Sequence, residues 1–261
     1  MTARLRHVAQ RAGGTAMLNK PTSFESARNC ILKGLPLLDL QAIAPFLQPI
    51  ALDERVVLQE LNKPIEYVSF IESGIVSLTA FAAGTTLETA RVDNRGAVGA
   101  SVALCNERSI CRATVLVRGR ALRIHIDDLQ RLMRERLQIR DDLLRYMQSL
   151  MIHSSQTALC GVRHGSEQRL ASWLCMVCDA LDDNVVPITH DHMSAILGLR
   201  RAGITEALAR FEEQGIVRKT RGELQVRDRK LLQQKACSCY GVIANAYDRP
   251  PSEVSNVLRL R

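Results

Sequence analysis

The sequence predicts an α+β chain in three parts: an N-terminal antiparallel β-roll, a long dimerisation helix and a C-terminal winged helix-turn-helix. Three observations lead there. Short apolar stretches punctuated by glycine fill the first half, apolar residues then recur at three- and four-residue steps, and Ile188–Val217 reads as two short helices joined by a tight turn. The first pattern belongs to many short strands, the other two to packed helices.

The chain has 261 residues, enough for two modest domains that each bury a core. Residues 1–23 form a basic leader with Arg4, Arg6, Arg11 and Lys20 and no acid before Glu25, expected to be disordered, with Met17 as an alternative start. A roll with flanking helices is expected over 24–136. Its strands are marked by Arg55–Leu58, Tyr67–Ile71, Ile75–Leu78, Thr114–Val117 and Ala121–Ile124, with Gly74, Gly84, Gly96, Gly99 and Gly119 as punctuation. Asp127–Arg136 closes this part as a short helix.

The dimerisation helix is expected over 137–160, because Leu144, Met147, Met151, Ser154 and Ala158 form a heptad seam suited to a partner helix. Packing within one chain is the alternative for a seam this short. Gly161–Gly165 breaks the helix, Ser166 caps the next through Trp173 to about Leu181, and Asp182–Asn184 is a hinge, so 161–184 connects. The winged helix-turn-helix occupies 185–229. A C-terminal helix and tail fill 230–261: Asp228 caps a helix with Leu232, Ala236, Tyr240, Ile243 and Tyr247 on one side, and Pro250-Pro251 ends it.

Within the helix pair, Thr189 can cap the first helix and Asp191 suits its first turn. Met193, Ile196 and Leu197 share a face, and Gly198 supplies the positive φ that ends the helix. Ile204, Leu208 and Phe211 form the buried face of the second helix. Its other face carries Arg200, Arg201, Ala202, Thr205 and Glu206, with Gly203 leaving room for a phosphate to approach. Arginine can fork onto guanine and glutamate can accept from cytosine, so this face suits direct readout in a major groove. Arg218, Lys219 and Arg221 sit on a hairpin turned at Gly222, a basic wing for the phosphate backbone. The implied partner is double-stranded DNA. The formal charge of +8 agrees with a polyanionic partner.

The stretch Ile188–Val217 resembles the reading head of the Crp/Fnr family of bacterial transcription regulators. Within that family Arg201 matches a base-contacting arginine that opens the recognition helix. Ala202 stands where the family's catabolite activator has a glutamate, and Glu206 where it has an arginine, so the operator sequence does not carry over. The first half resembles the family's cyclic-nucleotide-binding-like β-roll. Its phosphate-binding cassette corresponds to Gly96-Ala97-Val98-Gly99-Ala100 and, after a longer loop, Cys111-Arg112-Ala113. Gly96, Gly99, Ala100, Arg112 and Ala113 are therefore the candidate effector pocket. Ala100 replaces the glutamate that takes the ribose hydroxyls, and Ala113 the hydroxyl residue that helps hold the cyclic phosphate. Losing that charge-assisted contact argues against ordinary cyclic AMP. The resemblance implies a homodimer, an unidentified small-molecule effector, and RNA polymerase as a partner if the protein activates.

Eight cysteines without a disulfide framework suit a reducing cytoplasm, and no apolar run reaches the roughly 18 residues of a membrane helix. Some members of the family hold an iron–sulfur cluster on N-terminal cysteines, but only Cys30 lies in that region here. Cys175-x-x-Cys178 lies on an apolar helix and Cys237-x-Cys239 on the expected last helix. Both read as packed thiols, since zinc would need a second ligand pair. His190 and His192 point apart. No metal site, cofactor or catalytic residue is expected: the phosphate-loop, nucleophile-elbow and metalloprotease patterns are all missing. The reading is a cytoplasmic DNA-binding regulator under allosteric control. Its alternatives are a ligand-binding signalling module acting through protein contacts, and a thiol switch at Cys175 and Cys178.

Overall fold

A computed structural model describes residues 27–248, except 83, 84, 106 and 221. The expectations for the leader at 1–23, Met17, Gly84, Arg221, Pro250-Pro251 and the tail lie outside the described residues.

Two short helices, α1 (Cys30–Gly34) and α2 (Leu37–Ile43), precede an antiparallel sheet of β1 (Gln48–Leu52), β2 (Val57–Gln59), β3 (Tyr67–Ala82), β4 (Thr85–Val92), β5 (Ala97–Val98) and β6 (Arg112–His125). The main order is β1-β6-β3-β4, with β2 on β6 and β5 on β3. β2 starts two residues after the expected strand because Arg55 takes a turn with φ of 67°. β1 and β4 are strands that the sequence reading did not single out.

Both β3 and β6 run straight through glycines expected to interrupt them. A Cβ on Gly119 would lie 2.0 Å from the Ser73 carbonyl oxygen, and one on Gly74, whose φ is +85°, 2.5 Å from that of Val117. The paired strands shift register around Ser73 at this point. These glycines mark a bulged close approach of two backbones rather than two turns.

The sheet is apolar on both sides. Val68, Phe70, Val76, Ala113 and Val115 pack into one core with α1, with α3 (Ile126–Glu135) and with the first half of α4 (Leu137–Arg163). Ile75, Leu116 and Val117 face a second core, which also contains α5 (Ser166–Leu181) and the helix-turn-helix. The 27 residues of α4 span about 40 Å.

After α5 come β7 (Val185–Val186), α6 (His190–Leu197), α7 (Arg201–Glu213), β8 (Val217–Thr220) and β9 (Glu223–Val226). The wing sheet has the order β7-β9-β8. Residues Asp182–Asn184 therefore form a tied turn and not a free hinge: the Val226 N–H donates to the Asn184 carbonyl at 2.8 Å. The last expected helix is two helices, α8 (Arg229–Lys235) and α9 (Cys239–Tyr247). Asp228 caps α8 through the Leu231 N–H at 2.9 Å, as its sequence position suggests. The chain then leaves the helix because the Cys237 N–H is taken by Ser172 Oγ at 2.9 Å. Among the described residues no helix is long and apolar enough to cross a membrane.

Candidate nucleic-acid interface and sensor pocket

The helix pair forms as its residues dictate. Thr189 Oγ1 accepts the His192 N–H at 3.3 Å, satisfying one free donor of the first turn of α6. Gly198 ends the helix at φ +59°, and Ser194 Oγ donates to the Leu199 carbonyl at 2.6 Å across the turn. Met193, Ile196 and Leu197 of α6 meet Ile204, Ala207, Leu208 and Phe211 of α7 in the second core. That packing turns Arg201, Ala202, Thr205 and Glu206 outward, with Gly203 half-buried among them and Arg200 exposed at the cap position.

Arg201 is not idle on this face. Its Nε lies 3.0 Å from Asp191 Oδ1, in a pair whose side chains are 71% and 68% exposed. Thr205 Oγ1 lies 3.4 Å from His190 Nδ1. Partial burial and the neighbouring Lys219 and Arg201 cations push His190 below the usual imidazole range. His190, Asp191, Arg201 and Lys219, with Thr189 and Glu223, border a cavity of about 240 Å³ between the helix pair and the wing. On the wing, Arg218 is exposed. Lys219 pairs with Glu212 at 2.8 Å, and its N–H reaches the same carboxylate at 3.0 Å, which holds Glu212 below the usual carboxylate range.

The candidate effector residues do not converge. Ala100 and Ala113 are buried in the first core, Gly96 packs against the Tyr146 ring, and Gly99 sits at φ +88° beside the Gln59 amide. Arg112 alternates to the opposite face of β6 from Ala113. There its Nε pairs with Glu60 at 2.9 Å, and its guanidinium covers the Phe81 ring. It borders a cavity of about 160 Å³ beneath α6, shared with His192, Ala195 and Ile196. The expected five-residue pocket is thus split by strand alternation.

The expected dimer seam is also divided. Met147 is buried in the roll core with Leu144 packed against it, so these two serve the chain's own packing. Met151 is exposed, Ser154 Oγ donates back to the Leu150 carbonyl at 3.0 Å, and Ala158 is exposed. Leu159 and Val162 add exposed apolar surface further along.

Sequence reasoning missed the joint between the two halves. On β4, Thr89 is an extra residue against β3, since Leu78 faces Ala90 while Thr79 faces Glu88. This bulge brings Glu88 and Arg91 onto one side, where they pair at 3.0 Å with side chains only 3% and 5% exposed. Glu88 also accepts from Ser77 Oγ at 2.5 Å and from Trp173 Nε1 at 3.0 Å, while Arg91 donates to the Trp173 carbonyl at 3.3 Å. Its one visible signal was the pair of opposite charges within the otherwise uncharged strand stretch Leu87–Val92.

Residues 168–235 match the model of the Crp-like helix-turn-helix domain family. No curated protein matches the sequence. Among solved structures, FixK2 from Bradyrhizobium japonicum is similar at a TM-score of 0.64 and 16% identity, covering 73% of this chain and 98% of its own. A regulator from Eubacterium rectale described as belonging to the Crp/Fnr family gives 0.62 and 17%, over 80% and 98%. The c-di-GMP-responsive global regulator CLP from Xanthomonas campestris gives 0.62 and 11%, over 74% and 100%. Residues 168–235 are therefore a Crp-like helix-turn-helix DNA-binding domain, carried on a chain with the fold of the Crp/Fnr transcription regulators.

Proposed function

We propose that the protein is a homodimeric, cytoplasmic transcription regulator that reads a palindromic operator under allosteric control by its roll. The observation that carries this reading is the outward polar face of α7, with Arg201, Thr205 and Glu206 beside a basic wing. Arg200, Arg201, Ala202, Gly203, Thr205 and Glu206 read or approach bases, while Thr189, Arg218, Lys219 and Arg221 serve the phosphate backbone. A two-fold dimer would place two such faces about 34 Å apart on one side of the duplex. The exposed Met151, Ala158 and Val162 lie four and seven residues apart along α4 and support a partner helix there.

Allosteric control rests on the Glu88–Arg91–Trp173 joint, which ties the sheet to the helix leading into the reading head. A signal acts through that joint only by its difference in affinity for two placements of the head. Ordinary cyclic AMP is not the signal proposed, because Ala100 and Ala113 offer no polar group and Arg112 is held elsewhere. An unidentified small molecule is proposed in its place, and RNA polymerase is a partner if the regulator activates. Burial pushes Cys175 up to about 12 and raises Cys178, so neither thiol is poised as an oxidation switch.

Selection from random duplex DNA tests the reading: a palindromic consensus should emerge. Arg201→Ala should then weaken operator binding by about 1–3 kcal/mol and relax selection at one position per half-site. Equal operator affinity in parent and variant would refute the assignment of α7 as the recognition helix.

A further inference from the structure

The last turn of α4 and the break between α8 and α9 bring four ligand-type side chains together. Cys160 and His164 lie four residues apart at the end of α4, and Cys237 and Cys239 flank the step into α9. Cys160 Sγ is 3.5 Å from Cys237 Sγ, and Cys239 Sγ is 3.6 Å from His164 Nδ1. All four donor atoms fall within 4.8 Å of one another.

We propose that Cys160, His164, Cys237 and Cys239 form a tetrahedral site for a zinc-class divalent cation. Zinc bonds of about 2.3 Å to sulfur and 2.0 Å to nitrogen set ligand atoms roughly 3.5–3.8 Å apart in a tetrahedron. The two short contacts already have the length of such edges. Cys237 and Cys239 are buried and Cys160 and His164 half-buried; with four protein ligands the site is of the closed, structural kind. Its outer layer is present too: Ser172 Oγ lies 3.1 Å from Cys237 Sγ and accepts the Cys237 N–H.

Cys237-x-Cys239 lacks a second pair in the sequence; folding supplies it from 73 residues or more away, at Cys160 and His164. Packed thiols alone account for burial, but not for an imidazole joining three of them. A disulfide between Cys160 and Cys237 would leave Cys239 and His164 without a role. Binding converts three thiols to thiolates with release of their protons, and it fastens α9 to the end of α4.

The test uses the full chain, purified under reducing conditions. Metal analysis after Zn²⁺ loading should give about one ion per chain. Co²⁺ loading should give tetrahedral ligand-field bands with thiolate-to-cobalt charge transfer. Cys239→Ser and His164→Ala should each lose most of the bound metal, whereas Cys105→Ser, at an exposed thiol, should keep it. Should those variants fail to fold, thiol alkylation of the native chain decides. Zn²⁺ must protect Cys160, Cys237 and Cys239, and a chelator must expose them again. A reduced native chain that shows no thiolate-to-cobalt band overturns the proposal. So does alkylation of these three cysteines that Zn²⁺ leaves unchanged.

Discussion

Two arginine–carboxylate pairs in this molecule have the same length and opposite surroundings. Arg91 meets Glu88 at 3.0 Å between roll and reading head, almost wholly out of water. Arg201 meets Asp191 at 3.0 Å on the face proposed to read DNA, with both side chains mostly in water. Distance alone therefore says little about what a pair does. The buried pair has no solvent to replace a lost partner, so it acts as a fastening. The exposed pair contributes about 0–1 kcal/mol and can be exchanged for a phosphate or a guanine edge. Arg112 with Glu60, at 41% and 43% exposure, lies between the two and has its guanidinium further committed to the Phe81 ring.

The largest effect should come from breaking the buried side. Glu88→Ala strands the Arg91 guanidinium, the Trp173 indole N–H and the Ser77 hydroxyl together. A loss of about 3–5 kcal/mol in unfolding free energy is expected, measured by urea denaturation. A change under about 1 kcal/mol would mean that water reaches the joint and that the contrast between the two pairs is false. On the exposed side, Arg201→Ala should leave unfolding within about 0.5 kcal/mol of the parent while operator binding falls as proposed. Stability and binding should thus separate cleanly between the two arginines.

The histidines repeat the contrast. His153 is buried against the Tyr247 hydroxyl at 3.0 Å, and burial, then the Arg91 and Arg95 cations, push it well below the usual imidazole range. The folded chain keeps this ring neutral while the unfolded chain protonates it near pH 6.5. Its contribution is fully present above that pH. Stability should fall as the pH drops below it, by up to about 1.4 kcal/mol per pH unit for the single proton. His153→Gln should flatten this part of the pH–stability curve between about pH 6.5 and 5. An unchanged slope would place the titration elsewhere. His190 is shifted in the same direction, but it stands near the surface and should add little.

What the sequence made legible follows from locality. The helix pair, its Thr189 cap, the Gly198 stop and the buried stripe of Ile204, Leu208 and Phe211 depend on neighbours within a few turns, and each is where the periodicity puts it. Gly74 and Gly119 were misread because a glycine required by a turn and one required by a crossing backbone look alike in one dimension. The cassette comparison identified Ala100 and Ala113 as departures but could not see that alternation sends Arg112 to the other face. Met147 looked like a partner-facing residue because a heptad stripe does not say which of its neighbours belongs to the same chain. The Glu88 joint needed a bulge at Thr89, and a bulge defeats the period-two rule by which strand faces are assigned.

The smallest expected effect is also the most discriminating. Asp191→Asn removes the carboxylate from Arg201 but keeps a polar side chain in the first turn of α6. Because that pair is exposed, unfolding should change by less than about 1 kcal/mol, and part of that reflects the helix dipole rather than the arginine. Binding should move the other way, to modestly tighter operator affinity at low salt. Arg201 no longer has a partner to leave, and one negative charge is withdrawn from beside the phosphates. The gain should shrink as salt rises, since the interaction removed is itself screened. Fluorescence anisotropy across a salt series measures both trends. If Asp191→Asn instead lost affinity as far as Arg201→Ala does, the carboxylate would be holding the arginine in its reading position. The exposed pair would then be a positioning device, and the difference between the two arginines would be one of location rather than of role.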